Sequence, residues 1–173
     1  MCEMSTKAAS KKQTEPPSKR LAILRVRGRV GPRKPVVETL QFLRLHRRNH
    51  LAIIDDRASY RGMLHRAKDY ITWGEVGAET IALILKSRGY LPGKIRVTDA
   101  IVKKYTQYES IDQFAEAISN FKAELSDLQK LKPVFRLHPP KGGFKGKIKR
   151  PFKDHGELGD RGKKIEDLLK RMV

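Results

Sequence analysis

The chain has 173 residues, with 38 Lys and Arg against 19 Asp and Glu, for a formal net charge of +19. A charge this far from zero repels itself in a compact fold, so a polyanion is the natural partner: nucleic acid first, a membrane surface or an acidic protein next. The 39% hydrophobic content is too high for a fully disordered basic chain and implies a modest core. The single cysteine, Cys2, excludes an intramolecular disulfide and suits a reducing cytosol. Met1 to Lys19 has no apolar run and does not read as a secretory signal; no stretch approaches the roughly 20 apolar residues of a membrane span.

Charge is partitioned along the chain. Residues 19–48 hold ten basic residues and one acid, Glu38, and residues 132–164 hold eleven basic residues and three acids. Residues 69–131 hold eight basic and nine acidic residues, a net of −1. A uniform solubilising coat would not show this split. It predicts a basic face and a basic tail, with a nearly neutral module held away from the polyanion.

Residues 1–18 read as a disordered N-terminal tail. Leu21 to Arg27 reads as a strand that becomes alternating towards its end. Gly28 to Pro35 is a loop carrying Arg29, Arg33 and Lys34, and Pro35 suits a first helical turn, where its missing N–H costs nothing. Val36, Leu40 and Leu43 then make one apolar stripe, with Arg44, Arg47 and Arg48 expected in the last turn, where the helix dipole favours cations. Leu51 to Ile54 reads as a short buried strand, after which Asp55 and Asp56 turn the chain and Ser59 caps a second helix. Tyr60, Met63, Leu64 and Ala67 form that helix's apolar stripe, with Arg61, His65 and Lys68 on the opposite face. Tyr70 to Val76 alternates as a strand. The order β-α-β-α-β over residues 19–76 predicts an α+β layer with two helices on one face of a small sheet.

Residues 77–131 read as a helical module. Ala78, Ile81, Ala82 and Leu85 recur at helical spacing, and Arg88-Gly89 with Pro92 beyond is a stop signal. Thr98 is placed to cap a short helix, Ser110 to Gln113 matches a capping box, and Leu125, Leu128 and Leu131 are expected to extend the helical pattern to Pro133. Residues 132–173 form a basic tail. Val134 to His138 fits an edge strand, and Ile165, Leu168, Leu169 and Met172 form the stripe of a docking helix. Between them, residues 139–161 are too poor in apolar surface to order alone, and extended they span roughly 75 Å. That stretch is expected to thread between RNA helices, and Lys141 to Lys153 to order only on assembly.

The lysines and glycines of the tail make sense together. Lys141, Lys145, Lys147, Lys149, Arg150 and Lys153 supply charge to phosphates, while Gly142 and Gly143 let the backbone approach and donate N–H groups. Phe144 and Phe152 are placed to stack on unpaired bases, the blander reading being that they tuck against the fold. In the core, Arg25, Arg27, Arg29, Arg33 and Lys34 are the expected positioning contacts, with Arg47, Arg48, Arg61, His65 and Lys68 joining them. Catalytic patterns are weak. The five histidines show no metal-ligand spacing with cysteine, Asp55-Asp56 are adjacent and point apart, and Gly28 to Gly31 lacks the glycines of a dinucleotide loop. No nucleophile has an evident base. No enzyme, cofactor, small-molecule substrate or homo-oligomer is expected. A DNA-compacting, chromatin-like protein is the competing reading; it explains the charge but not the neutral module.

These residues resemble a known family. Leu21 to Arg27, Gly28-Arg29-Val30-Gly31, Arg61-Gly62-Met63-Leu64 and Tyr70-Ile71-Thr72-Trp73-Gly74 are similar to the universal L-thirty family of large-subunit ribosomal proteins. Leu137 to Phe144 and the ending, where Gly159 to Gly162 precedes a helix closing on Arg171-Met172, resemble its archaeal branch, whose eukaryotic counterpart is called L-seven. The resemblance implies a ferredoxin-like β-α-β-α-β core with a three-stranded antiparallel sheet. It also implies a structural role in the cytoplasm, on large-subunit ribosomal RNA near 5S ribosomal RNA and beside neighbouring ribosomal proteins.

Overall fold

The computed structural model describes residues 19–93, 95–128 and 131–173; the reading of residues 1–18 as a disordered tail falls outside them. Its centre is β1 (Arg20–Arg25), which pairs antiparallel with both β2 (His50–Asp55) and β3 (Ile71–Glu75). Strand β1 is buried on both faces, which is why it reads as an unbroken apolar run before it alternates. Leu21 and Ile23 face α1 (Lys34–Phe42) and α2 (Ala58–Ala67), packing with Leu40, Leu43, Leu45, Leu64 and Ala67. Ala22, Leu24 and Val26 face the other way, into a larger cluster under α3 (Ala78–Arg88), α5 (Ile111–Ser119) and α6 (Ile165–Met172). The short helix α4 (Asp99–Tyr105) packs beside α5.

The α+β core has the expected element order, but the sheet is larger than three strands. Strand β4 (Val134–Arg136) pairs antiparallel with β2, and β6 (Gly156–Asp160) pairs parallel with β3. Strand β5 (Lys147–Pro151) lies beyond β6, so the order across six strands is β4-β2-β1-β3-β6-β5. The stretch expected as an extended, threading tail is therefore folded onto the sheet. The reason lies in a few side chains inside a polar run. Leu158 is buried, Phe144 packs on the larger core, and Glu157 and Arg161 form a buried ion pair. Arg161 also donates to Thr72 Oγ1 at 2.9 Å and to the Glu157 carbonyl at 2.9 Å, while the second Glu157 oxygen accepts from Gly146 N at 2.6 Å. One carboxylate thus ties the start of β5 to the turn after β6.

The last helix is held at both ends. Glu166 accepts from Gly77 N at 2.7 Å, serving an orphan amide where α3 begins. The carbonyls of Met172 and Arg171 accept from His138 N and Lys141 N, each at 3.0 Å, so the turn at 138–143 closes the end of α6. Gly74 matches this packing: a Cβ there would collide with the Gly162 carbonyl where the chain crosses β3.

Several local readings are corrected. Helix α1 ends at Phe42, so Arg44, Arg47 and Arg48 lie beyond it; Arg44 sits at φ 59°, outside helical geometry. Helix α2 starts at Ala58, which puts Ser59 inside it and not at its cap. Thr98 stands at the start of α4 without a side-chain capping bond. Ser110 does cap α5, accepting from Gln113 N at 3.3 Å, and Gln113 reaches back to Glu109 N at 3.2 Å, one residue earlier than a capping box specifies. The helical pattern expected through Leu131 stops at Ser119: residue 120 leaves the helix, Phe121 takes φ 58°, and 121–128 form turns. Leu128 is nonetheless buried and Leu125 and Leu131 pack on the core, so the apolar spacing reflects contact with one surface and not a helix.

Removing one partner of the Glu157–Arg161 pair leaves an uncompensated buried charge. Arg161→Leu is expected to cost about 3–5 kcal/mol of unfolding free energy, measured by urea denaturation. Glu157→Gln with Arg161→Leu together should recover part of that loss. A single variant as stable as the parent would show that the pair does not hold β5 and β6 in place.

Candidate nucleic-acid interface

The expected phosphate contacts of the core are assembled where β1 ends and β2 and β3 begin. Arg25 organises this end and is itself 4% exposed. Its guanidinium donates to the carbonyls of Arg27 at 2.9 Å, Leu45 at 2.7 Å and Gly28 at 2.7 Å. It therefore joins the loop after β1 to the loop before β2, and the structure places it, expected as a phosphate contact, inside the fold with three of its N–H groups on backbone carbonyls. Burial lowers its pKa, with Arg29 close by adding to the effect, yet an arginine keeps its charge there. The Arg25 carbonyl accepts from Asn49 N at 2.8 Å, and the Tyr70 carbonyl accepts from Val26 N at 3.0 Å and Arg27 N at 3.1 Å. Three chain segments meet here through backbone bonds.

Around this frame the cations face outward. Arg27 lies over the Tyr70 ring, 4.6 Å from its centroid, and donates to the Asp69 carbonyl at 3.1 Å. Arg29 and Arg33 are exposed on the first loop and Lys34 at the start of α1, and Arg47 and Arg48 are exposed on the second loop, with the Arg48 stem alongside Gly28. Lys68 is exposed just before Asp69 and Tyr70. Arg136, absent from the sequence-derived set, belongs with them: it is exposed on β4 directly across from His50. The signal was present in Val134 to His138, where Phe135 and Leu137 are buried and Arg136 between them must point outward.

Strand registers connect the tail to this end. Arg25 pairs with Ile71, Thr72 with Gly159, and Leu158 with Pro151. The basic strand β5 is therefore level with the cationic end of the sheet and projects past it, Lys147 pairing with Gly156. All five β5 residues are exposed, including Lys147, Lys149 and Arg150, and Lys141, Lys145 and Lys153 are exposed on the flanking turns. Gly142 and Gly143 are exposed at φ 74° and 73°, in the left-handed region glycine favours; the Gly143 carbonyl accepts from Arg171 at 3.2 Å. Phe144 is partly buried on the core, and Phe152 lies under Arg161, 4.8 Å from its Cζ. Both rings are thus taken up by the fold, as the blander sequence reading has it, and neither stands free for base stacking.

The opposite end of the same strands is built differently. Arg20 and Arg57 pair with Asp55, Lys19 with Glu75 at 2.6 Å, and Arg61 with Asp56 at 2.7 Å. Arg61, expected among the RNA contacts, is engaged there through two bonds to Asp56 and holds that carboxyl below the usual carboxylate range. His65 is exposed on α2 and lines a hollow shared with Asp56, Arg61 and Glu75. Among the described residues, the outward cations of the β1 C-terminal end and β5 make no ion pair, whereas those at the far end do. A phosphate array would find charge that is already neutralised at one end and available at the other.

His50 lies beneath the cationic end, buried and with Nδ1 lacking a hydrogen-bond partner. Burial lowers its pKa, and nearby Arg136, His46, Arg47 and Arg25 lower it further, so the imidazole is neutral in the folded protein. Among the described residues, no three His, Cys, Asp or Glu lie together as metal ligands, and no helix is long and apolar enough to cross a membrane.

Two outcomes follow. Arg25→Ala should cost about 1–3 kcal/mol in thermal or urea unfolding, because buried carbonyls lose their donors; Arg25→Lys should recover little, since an ammonium cannot span three carbonyls. The unfolded chain protonates His50 at its ordinary value of 6.5 while the folded protein resists, so unfolding takes up protons and stability falls as pH drops through that value. His50→Gln should flatten the pH dependence of the unfolding midpoint in this range, and an unchanged slope would assign the effect to other groups.

A family profile described as Ribosomal protein L30p/L7e matches residues 21–71. The chain is 53% identical over 149 residues to the large ribosomal subunit protein uL30 of Methanopyrus kandleri, covering 86% of this chain and 100% of that protein. It is 50% identical over 151 residues to the uL30 protein of Archaeoglobus fulgidus, covering 87% and 98% respectively. The uL30 protein of Staphylothermus marinus is 47% identical over 157 residues, covering 88% and 97%.

Proposed function

This chain belongs to the ribosomal protein L30p/L7e family, and on that premise we propose that it is a structural constituent of the large ribosomal subunit which binds ribosomal RNA through the cationic end of its sheet. Its role is architectural and not catalytic, and its place is in the cytoplasm within the subunit, beside other ribosomal proteins and near 5S ribosomal RNA. The observation that carries the RNA contact is the unequal treatment of charge at the two ends of the sheet. Arg27, Arg29, Arg33, Lys34, Arg47, Arg48, Lys68 and Arg136 surround one end, and Lys147, Lys149 and Arg150 extend the row on β5. Outward lysines and arginines of this kind neutralise phosphates and read helix shape; they carry no base code. The nearly neutral module of α3, α4 and α5 packs on one face of the sheet.

A salt series of affinity for large-subunit ribosomal RNA tests this. Each phosphate neutralised should add roughly −0.7 to −0.9 to the slope of log affinity against log salt. Arg48→Ala and Lys149→Ala should each make the slope shallower by about one such increment, whereas Arg57→Ala, at the far end, should leave it unchanged. In cell extracts the protein should sediment with the large subunit through a salt wash. Equal affinity for duplex DNA, with the protein remaining at the top of the gradient, would overturn the assignment.

A further inference from the structure

Val30 is 95% exposed, more than the other outlying large apolar residues, Phe42, Ile95 and Ile148. Single apolar side chains on a surface are ordinary; the setting of this one is not. It stands between Arg29 and Arg33 on the loop after β1, within the array of cations that surrounds this end of the sheet. The loop is held at its root, where Arg25 grips the carbonyls of Arg27 and Gly28. Beyond the tip, Gly31 takes φ 92° and Pro32 turns back towards Val37, Leu40 and Leu45 over a hollow of about 80 Å³. Pro32 therefore faces the protein while Val30 faces away from it.

The exposed cations Arg29 and Arg33 on either side make this tip a poor seat for an apolar protein surface, since each charge would have to be desolvated. An RNA helix suits it better. The minor groove of A-form RNA is wide and shallow, lined by riboses and base edges between two rows of phosphates. A β-branched valine has few rotamers to lose on contact. We propose that Val30 is an apolar wedge pressed onto the ribose and base-edge surface of an RNA minor groove, with Arg29 and Arg33 on the phosphates at either side. This rests on the RNA-binding reading above and assigns that end of the sheet a particular feature of the RNA.

The test uses the full chain and whole large-subunit ribosomal RNA across a salt series, with Val30→Ser, Val30→Leu and Arg29→Ser. Val30 touches little of the fold, so matched thermal melts should show all variants folded. Val30→Ser should weaken binding about tenfold at every salt concentration with the slope unchanged, while Val30→Leu keeps most of the affinity. Arg29→Ser should instead make the slope shallower by about one phosphate. Parental affinity in Val30→Ser, or a loss that vanishes at high salt, would overturn the wedge while leaving the RNA reading intact. Failure of the parent chain to bind would overturn that reading as well.

Discussion

Everything in this fold hangs on β1. It is hydrogen-bonded on both edges and buried on both faces, so Leu21 to Leu24 serve two cores at once. Leu21 and Ile23 anchor α1 and α2, while Ala22, Leu24 and Val26 anchor the helices of the opposite layer. A one-residue slip would exchange the two sets of side chains, putting Ala22 and Leu24 where Leu21 and Ile23 fit, so the register is set by packing on both faces. Arg25 extends that specification beyond the strand. By donating to carbonyls in two different loops it converts the ordered register into an ordered surface.

A strand with two ends gives the protein two electrostatic environments. Aspartate and glutamate are placed at one end, where arginine and lysine meet them in ion pairs that matter for local geometry more than for net stability. At the other end, positive charge accumulates without compensation. Self-repulsion there is a stability cost that a bound polyanion relieves, and at His50 burial first and the nearby cations second both disfavour a further positive charge. Binding and folding are thus opposed locally in the free protein and aligned in a complex.

The parts of this architecture legible in sequence were those with a local physical cause. Pro35 at a helix start, the doubly buried run Leu21 to Leu24, the Arg88-Gly89 stop and the stripe of α6 each follow from dihedral or burial constraints a short window contains. The failures were non-local. Leu125, Leu128 and Leu131 have helical spacing, but they pack on a surface made by other elements, and the backbone follows turns. Residues 139–161 are too polar to fold alone, and Thr72, 89 positions from Arg161, supplies a partner for the buried Glu157–Arg161 pair that no local window contains. Arg25 was read as one more cation in a basic run; that its donors would find backbone carbonyls depended on how two loops meet. Arg136 was missed for the opposite reason, since the alternation of its strand already pointed it outward.

The seating of β6 and α6 has a consequence for how the chain is made. Strand β3 gains its parallel neighbour, and the larger core its closing helix, from residues 156–172, some eighty to ninety positions after the elements they complete. The layer of α1 and α2 contains only residues up to 73 and is free to form early in synthesis. The opposite layer is complete only when α6 is in place, since Ile165, Leu168, Leu169 and Met172 are part of its buried cluster. Contacts this distant in sequence form slowly, so early capture of so basic a chain by a polyanion would shorten the interval in which its larger core is incomplete.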